Sequence, residues 1–77
     1  MPLSAAKNLV LEFCSAQQLS IAELGRMLGY KSNYTTALLT PASKRCLTFD
    51  FVGRLAYVFG DDGPAIDVAQ AMKDEEA

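Results

Sequence analysis

The 77-residue sequence contains no histidine. Catalytic triads and dyads that rely on an imidazole, and the zinc sites that use one, therefore cannot be assembled within one chain. Cysteine is scarce as well. Cys14 and Cys46 stand far apart with no CxxC spacing, too few for a metal cage or a disulfide framework. They read as reduced thiols: Cys14 falls in an apolar helical stretch, and Cys46 lies between Arg45 and Leu47, where a neighbouring cation can lower a thiol pKa, so a redox role is the alternative for it. No glycine-rich phosphate loop is present and the acids gather towards one end, which leaves no assembled enzyme site. No catalytic residue, cofactor, metal or small-molecule ligand is expected. No apolar run approaches the roughly 20 residues that span a bilayer, and no charged and then apolar leader opens the chain, so a cytoplasmic protein without a membrane partner is the expectation.

Hydrophobic residues make up 51% of the chain and charged residues only 21%, enough for one modest core over residues 1–77 and too little for two. A core of that size gains from self-association. The net charge of −2 and pI of about 4.8 argue against nucleic acid as a partner, until the charges are placed. Between Gly25 and Gly60 stand Arg26, Lys31, Lys44, Arg45 and Arg54 against the single acid Asp50, a net of +4. From Asp61 onward six acids, Asp61, Asp62, Asp67, Asp74, Glu75 and Glu76, face Lys73 alone, a net of −5. The chain is a basic module with an acidic end. Lys7 and Lys73 read as ordinary solubilising charges.

Helical signals run throughout, and no segment alternates over the length a strand needs. Ser4 can cap a first helix whose Ala6, Leu9, Val10 and Phe13 share a stripe, closed by Gln17 and Gln18. Ser20, with Glu23 three residues on, gives a capping box for a short second helix with Ile21, Leu24 and Leu28 inward, stopped by Gly29. Ser32 can cap a third helix that ends before Pro41. Residues 41–47 form a loop. Thr48 caps a fourth helix through Phe59, ended by Gly60, and Asp62-Gly63-Pro64 restarts a fifth over about residues 64–73, with Ala65, Val68, Ala69 and Met72 on its stripe, before an acidic tail at 74–77. The fold class is all-α, a compact bundle of five short helices.

Helices two and three, joined through Gly29, have the proportions of a helix-turn-helix. Leu24, Leu28, Tyr30, Thr35 and Leu38 fall where that unit needs packing residues. The run Leu19-Ser20-Ile21-Ala22-Glu23-Leu24-Gly25-Arg26-Met27-Leu28-Gly29 resembles the lambda repressor and Cro-like family of phage and bacterial regulators. The helix Thr48 to Gly60 is similar to the leucine-rich helix that ends in glycine in that family, so the resemblance spans about residues 5 to 60. Ile21, Gly25 and Thr35 stand where the family usually carries a glutamine, an alanine and a larger apolar residue; Gly25 remains small and Thr35 keeps its β-branch.

That resemblance implies a lambda repressor-like DNA-binding domain with a recognition helix at residues 32–40. At about 100° per residue, Tyr34, Thr35 and Leu38 face the second helix, and Ser32, Asn33, Thr36, Ala37 and Thr40 face away. This outer face is polar and small but uncharged. It suits base edges, since Asn can bridge adenine and Thr or Ala can meet a thymine methyl; a plain solvated face is the bland alternative. Lys31, Ser43, Lys44 and Arg45 are placed to meet phosphate.

On helix four, Phe49, Phe51, Val52, Leu55, Ala56, Val58 and Phe59 cover half the circumference, with Asp50, Gly53, Arg54 and Tyr57 opposite, more apolar breadth than a small bundle needs. Helix five adds Ile66. A homodimer is expected, with Phe59, Ile66, Val68 and Met72 as candidate contacts, although helix five has the equal alternative of sealing the monomer core. The expected function is a sequence-specific regulator of phage, plasmid or bacterial origin, a dimeric repressor occupying double-stranded operator DNA. The alternative is a helical protein-interaction module such as an antitoxin or anti-repressor.

Overall fold

A computed structural model describes residues 4–31, 33–40, 43, 45–60 and 63–76. Among them the chain forms five α-helices and no strand: α1 (Ala5–Ala16), α2 (Ile21–Met27), α3 (Tyr34–Leu38), α4 (Phe49–Phe59) and α5 (Ala65–Glu76). No helix among these residues is long and apolar enough to cross a membrane.

Local chemistry sets most boundaries. Ser4 Oγ accepts from the Lys7 amide at 3.2 Å, satisfying one of the donors a helix start leaves unpaired. Ser20 and Glu23 complete a capping box, Ser20 Oγ accepting from the Glu23 amide at 3.1 Å and the Glu23 carboxylate from the Ser20 amide at 3.4 Å. Thr48 Oγ1 accepts from the Phe51 amide at 3.2 Å. Helices α1 and α2 end alike: Leu19 N–H donates to Cys14 O and Gln18 N–H to Ser15 O, just as Tyr30 N–H donates to Gly25 O and Gly29 N–H to Arg26 O. This ending needs a left-handed residue, supplied by Gly29 (φ 86°) after α2 and by Gln18 (φ 56°) after α1.

The third helix is shorter than its sequence suggests. It spans Tyr34–Leu38, with Asn33 at the capping position making no side-chain cap bond, and Ser32 lies outside the described residues. Beyond Leu38, the Thr40 hydroxyl donates to Thr36 O at 2.8 Å, and Pro41 removes the next amide. The fifth helix is longer. It runs through the acidic end to Glu76, because Glu75 has a structural role: its carboxylate accepts from the Ala6 amide at 3.2 Å. A negative group is favourable there, at the start of α1, by both hydrogen bonding and the helix dipole.

The core is made by Ala6, Val10 and Cys14 of α1, Leu24 of α2 with Leu28 behind it, Leu38 and Leu39, Leu47, Phe51 and Leu55 of α4, and Ala65, Val68 and Met72 of α5. Helix α5 packs against α1 and α4, and α2 packs against α3. Val68 and Met72 are buried in this core and are not available as dimer contacts. Helix five seals the monomer. Phe59 is half-buried, its ring edge-on to Phe13 at 4.8 Å, so it too is engaged within the chain. Of the four expected contacts only Ile66, 70% exposed, faces solvent. Lys7 is likewise corrected: it is buried on the α1 stripe beside Ala6 and Val10, a position its aliphatic stem can fill. The breadth of α4 divides in the same way. Phe51 and Leu55 are buried, whereas Phe49 and Ala56 turn outward with Gly53 and Tyr57.

Candidate functional site

Helix α3 lies against α2 through one close approach. Thr35 is buried, and a Cβ built at Gly25 would stand 2.6 Å from its Oγ1. Only a residue without a side chain lets the two helices meet here. With Thr35 and Leu38 turned inward, Asn33, Thr36, Ala37 and Thr40 are all exposed. The described part of the outer face is therefore one continuous uncharged strip, two of whose polar groups have local uses or none. Thr40 donates to the Thr36 carbonyl, while the Asn33 amide caps nothing.

Lys31 at the entry to α3 and Arg45 after it are both exposed. Ser43 is half-buried and its hydroxyl accepts from the Arg45 amide at 3.2 Å, shaping the loop that carries Arg45. Lys44 lies outside the described residues. Exposed cations thus precede and follow the strip along the chain.

A network that the sequence reading did not single out holds this strip in place. Arg54 of α4 donates from Nη1 to Leu28 O at 2.7 Å, at the C-terminal end of α2, where carbonyls lack helical partners and a cation is favoured. The same side chain donates from Nε to Asp50 Oδ2 at 3.0 Å and lies 4.6 Å above the Tyr30 ring. Tyr30 donates from its hydroxyl to Asp50 at 2.6 Å, stacks on Phe51 at 5.9 Å and tilts against Tyr34 at 4.8 Å. Burial and the bond to the Asp50 carboxylate push the Tyr30 hydroxyl up to about 12. The Tyr30 hydroxyl in turn holds the Asp50 carboxyl below the usual carboxylate range, with Arg54 acting in the same direction. The turn between α2 and α3 is thus pinned to α4 by three side chains. Arg54, counted from sequence as part of the basic surface, is engaged in this clamp. The i,i+4 spacing of Asp50 and Arg54 was the available signal.

The thiols differ in setting: Cys14 is buried, which pushes its pKa up and keeps it protonated, and Cys46 is exposed. Asp50 and Arg54 of this clamp also line a groove of about 390 Å³ between the end of α2 and α4, together with Met27, Leu28, Gly29, Gly53, Tyr57 and Val58. Comparison with known proteins finds no family model, no curated protein and no solved structure that matches this chain.

Proposed function

We propose that the chain is a helix-turn-helix DNA-binding regulator of the lambda repressor and Cro-like kind, a small repressor that occupies an operator from the compartment holding the DNA, the bacterial cytoplasm. The observation that carries this reading is the exposed, uncharged strip of Asn33, Thr36, Ala37 and Thr40 along and just beyond a short helix packed against α2, with exposed Lys31 before it and Arg45 after it in the chain. An ordinary solvated helix face is usually charged; a face of amide, hydroxyl and methyl groups fits base edges, and cations before and after it in the chain fit phosphate. On this reading α2 and α3 are the helix-turn-helix pair, Asn33 and Thr36 with Ala37 read bases, Lys31 and Arg45 bind backbone, and the Tyr30–Asp50–Arg54 clamp presents the reading helix at a set angle. No catalysis is involved. Binding excludes polymerase.

Selection from a random double-stranded DNA pool, followed by gel shift at two salt concentrations, tests the reading. Enrichment of a defined sequence with specific binding at 150 mM salt supports it; weak, salt-labile binding without enrichment overturns it. The latter outcome favours the second reading, a helical interaction module such as an antitoxin or anti-repressor, to which the exposed Tyr57 and Ile66 give support.

A further inference from the structure

We infer that the base pairs read by α3 are A·T pairs, about three in succession: the strip of Asn33, Thr36, Ala37 and Thr40 matches the major-groove edges of adenine and thymine and holds nothing that selects guanine or cytosine. The inference rests on the DNA reading and adds to it the class of sequence bound.

The strip lacks the groups that read G·C. Between Lys31 and Lys44 the sequence carries no charged residue. Guanine shows the major groove two acceptors, N7 and O6, which a two-donor arginine or lysine fills, and cytosine shows an amino donor that a carboxylate accepts. Neither kind of group lies on the strip. Lys31 and Arg45 stand before and after it in the chain, and the Arg54 guanidinium, which reaches the turn between α2 and α3, is engaged by Leu28 O at 2.7 Å and Asp50 at 3.0 Å.

What the strip holds matches A·T. The Asn33 side chain sets one donor beside one acceptor, as adenine does with its N6 amino group and N7, whereas against guanine the amide oxygen meets a second acceptor. That amide is exposed and caps nothing in the fold. The Thr40 hydroxyl gives its hydrogen to Thr36 O at 2.8 Å, so towards DNA it offers lone pairs and a methyl group and has no donor for a guanine acceptor. Thr36 and Ala37 place methyl groups one turn beyond Asn33, and the thymine methyl is their apolar complement.

Packing keeps this face outward. Thr35 is fully buried, with its Oγ1 only 2.6 Å from where a Gly25 Cβ would stand, and Leu38 is buried one turn on, so the helix cannot rotate to present other residues. At a rise of about 1.5 Å per residue the strip from Asn33 to Thr40 is about 10 Å long, which at about 3.4 Å per base pair covers about three pairs.

An A·T preference also arises without base contacts, where a narrow minor groove attracts cations. The two origins place the decisive atoms in different grooves, and base analogues tell them apart. A hypoxanthine·cytosine pair has the major-groove edge of G·C and the minor-groove edge of A·T; a diaminopurine·thymine pair has the reverse.

The full chain is used to select sites from a random double-stranded pool, and synthetic duplexes of the selected site are then compared by gel shift at about 150 mM salt. Expected is a core of about three A·T pairs in which hypoxanthine·cytosine weakens binding at least roughly tenfold and diaminopurine·thymine less than about twofold. At one core adenine, 7-deazaadenine, which lacks the N7 acceptor, is expected to cost roughly tenfold with wild type and less than about twofold with Asn33→Ala. A G·C pair fixed within the core overturns the inference and leaves the DNA reading standing. So does an A·T core that tolerates hypoxanthine and rejects diaminopurine, or one in which every adenine tolerates 7-deazaadenine. Should Asn33→Ala lose its cooperative melt, the analogue series with wild type decides alone. A pool that yields no enriched sequence defeats the DNA reading, and this inference with it.

Discussion

Thr35 Oγ1 is buried without a hydrogen-bond partner among the described residues, and it is the atom that stands nearest to an added Cβ at Gly25. An unpaired hydroxyl in such a place forfeits its hydration with no return, so Thr35→Val, which keeps the shape and removes the polarity, is expected to stabilise the protein by about 1 kcal/mol. Chemical denaturation measures it, and a lower midpoint for the valine variant contradicts the packing described. At Asn33 the expectation is the opposite in kind. Its amide is exposed and makes no cap bond, so Asn33→Ala is expected to leave the melting temperature unchanged while weakening the preferred DNA site by about 1–3 kcal/mol and random DNA hardly at all. A variant that melts several degrees lower with unaltered sequence preference shows Asn33 to be structural. Lys31→Ala and Arg45→Ala are expected to weaken all DNA alike, each reducing the salt slope by about one.

At the scale of the helix, termini carry the informative chemistry. Glu75 links the last turn of α5 to the first turn of α1 across nearly the whole chain, a bond that joins two helices already packed together. Glu75→Gln retains an acceptor and is expected to cost little, whereas Glu75→Ala is expected to lower stability by about 0.5–1.5 kcal/mol, read from thermal or urea melts. Equal effects from the two variants argue against a capping role. Helix α4 plays two parts at once. Its inner side contributes Phe51 and Leu55 to the core, and its edge, through Arg54 and Asp50, fixes the turn between α2 and α3.

For the whole molecule, the Tyr30–Asp50 bond ties stability to pH at both ends of the scale. The Tyr30 pKa is raised from 10.0 to about 12, so its contribution is complete below pH about 10 and disappears as pH climbs to about 12. The Asp50 pKa is lowered from 3.8, so its contribution is complete above that value and disappears as pH falls through the depressed one. Spectrophotometric titration is expected to resolve one tyrosine step near 12 that Tyr30→Phe abolishes. A step that survives the substitution assigns it elsewhere. Deleting residues 61–77 removes Ala65, Val68 and Met72 from the core and is expected to unfold the protein, beyond any effect on association.

What the sequence determined by itself is the set of features governed by nearest neighbours. The caps at Ser4, Ser20 and Thr48, the stop at Gly29 and the five-helix count follow from side chains bonding amides three residues away and from backbone angles glycine alone adopts freely. The outward turn of Asn33, Thr36, Ala37 and Thr40 was legible too, because a helix repeats at 3.6 residues whatever surrounds it. Tertiary structure decided the rest. An apolar stripe states that a helix has something to bury and not against what: Val68 and Met72 read equally as core or interface until α5 lay on α1 and α4. Lys7 and Arg54 looked like surface charge because their burial and bonding depend on residues far along the chain. Phe49 and Tyr57 differ from Phe51 and Leu55 only in rotation about the α4 axis, and the packing of the other helices fixes that rotation.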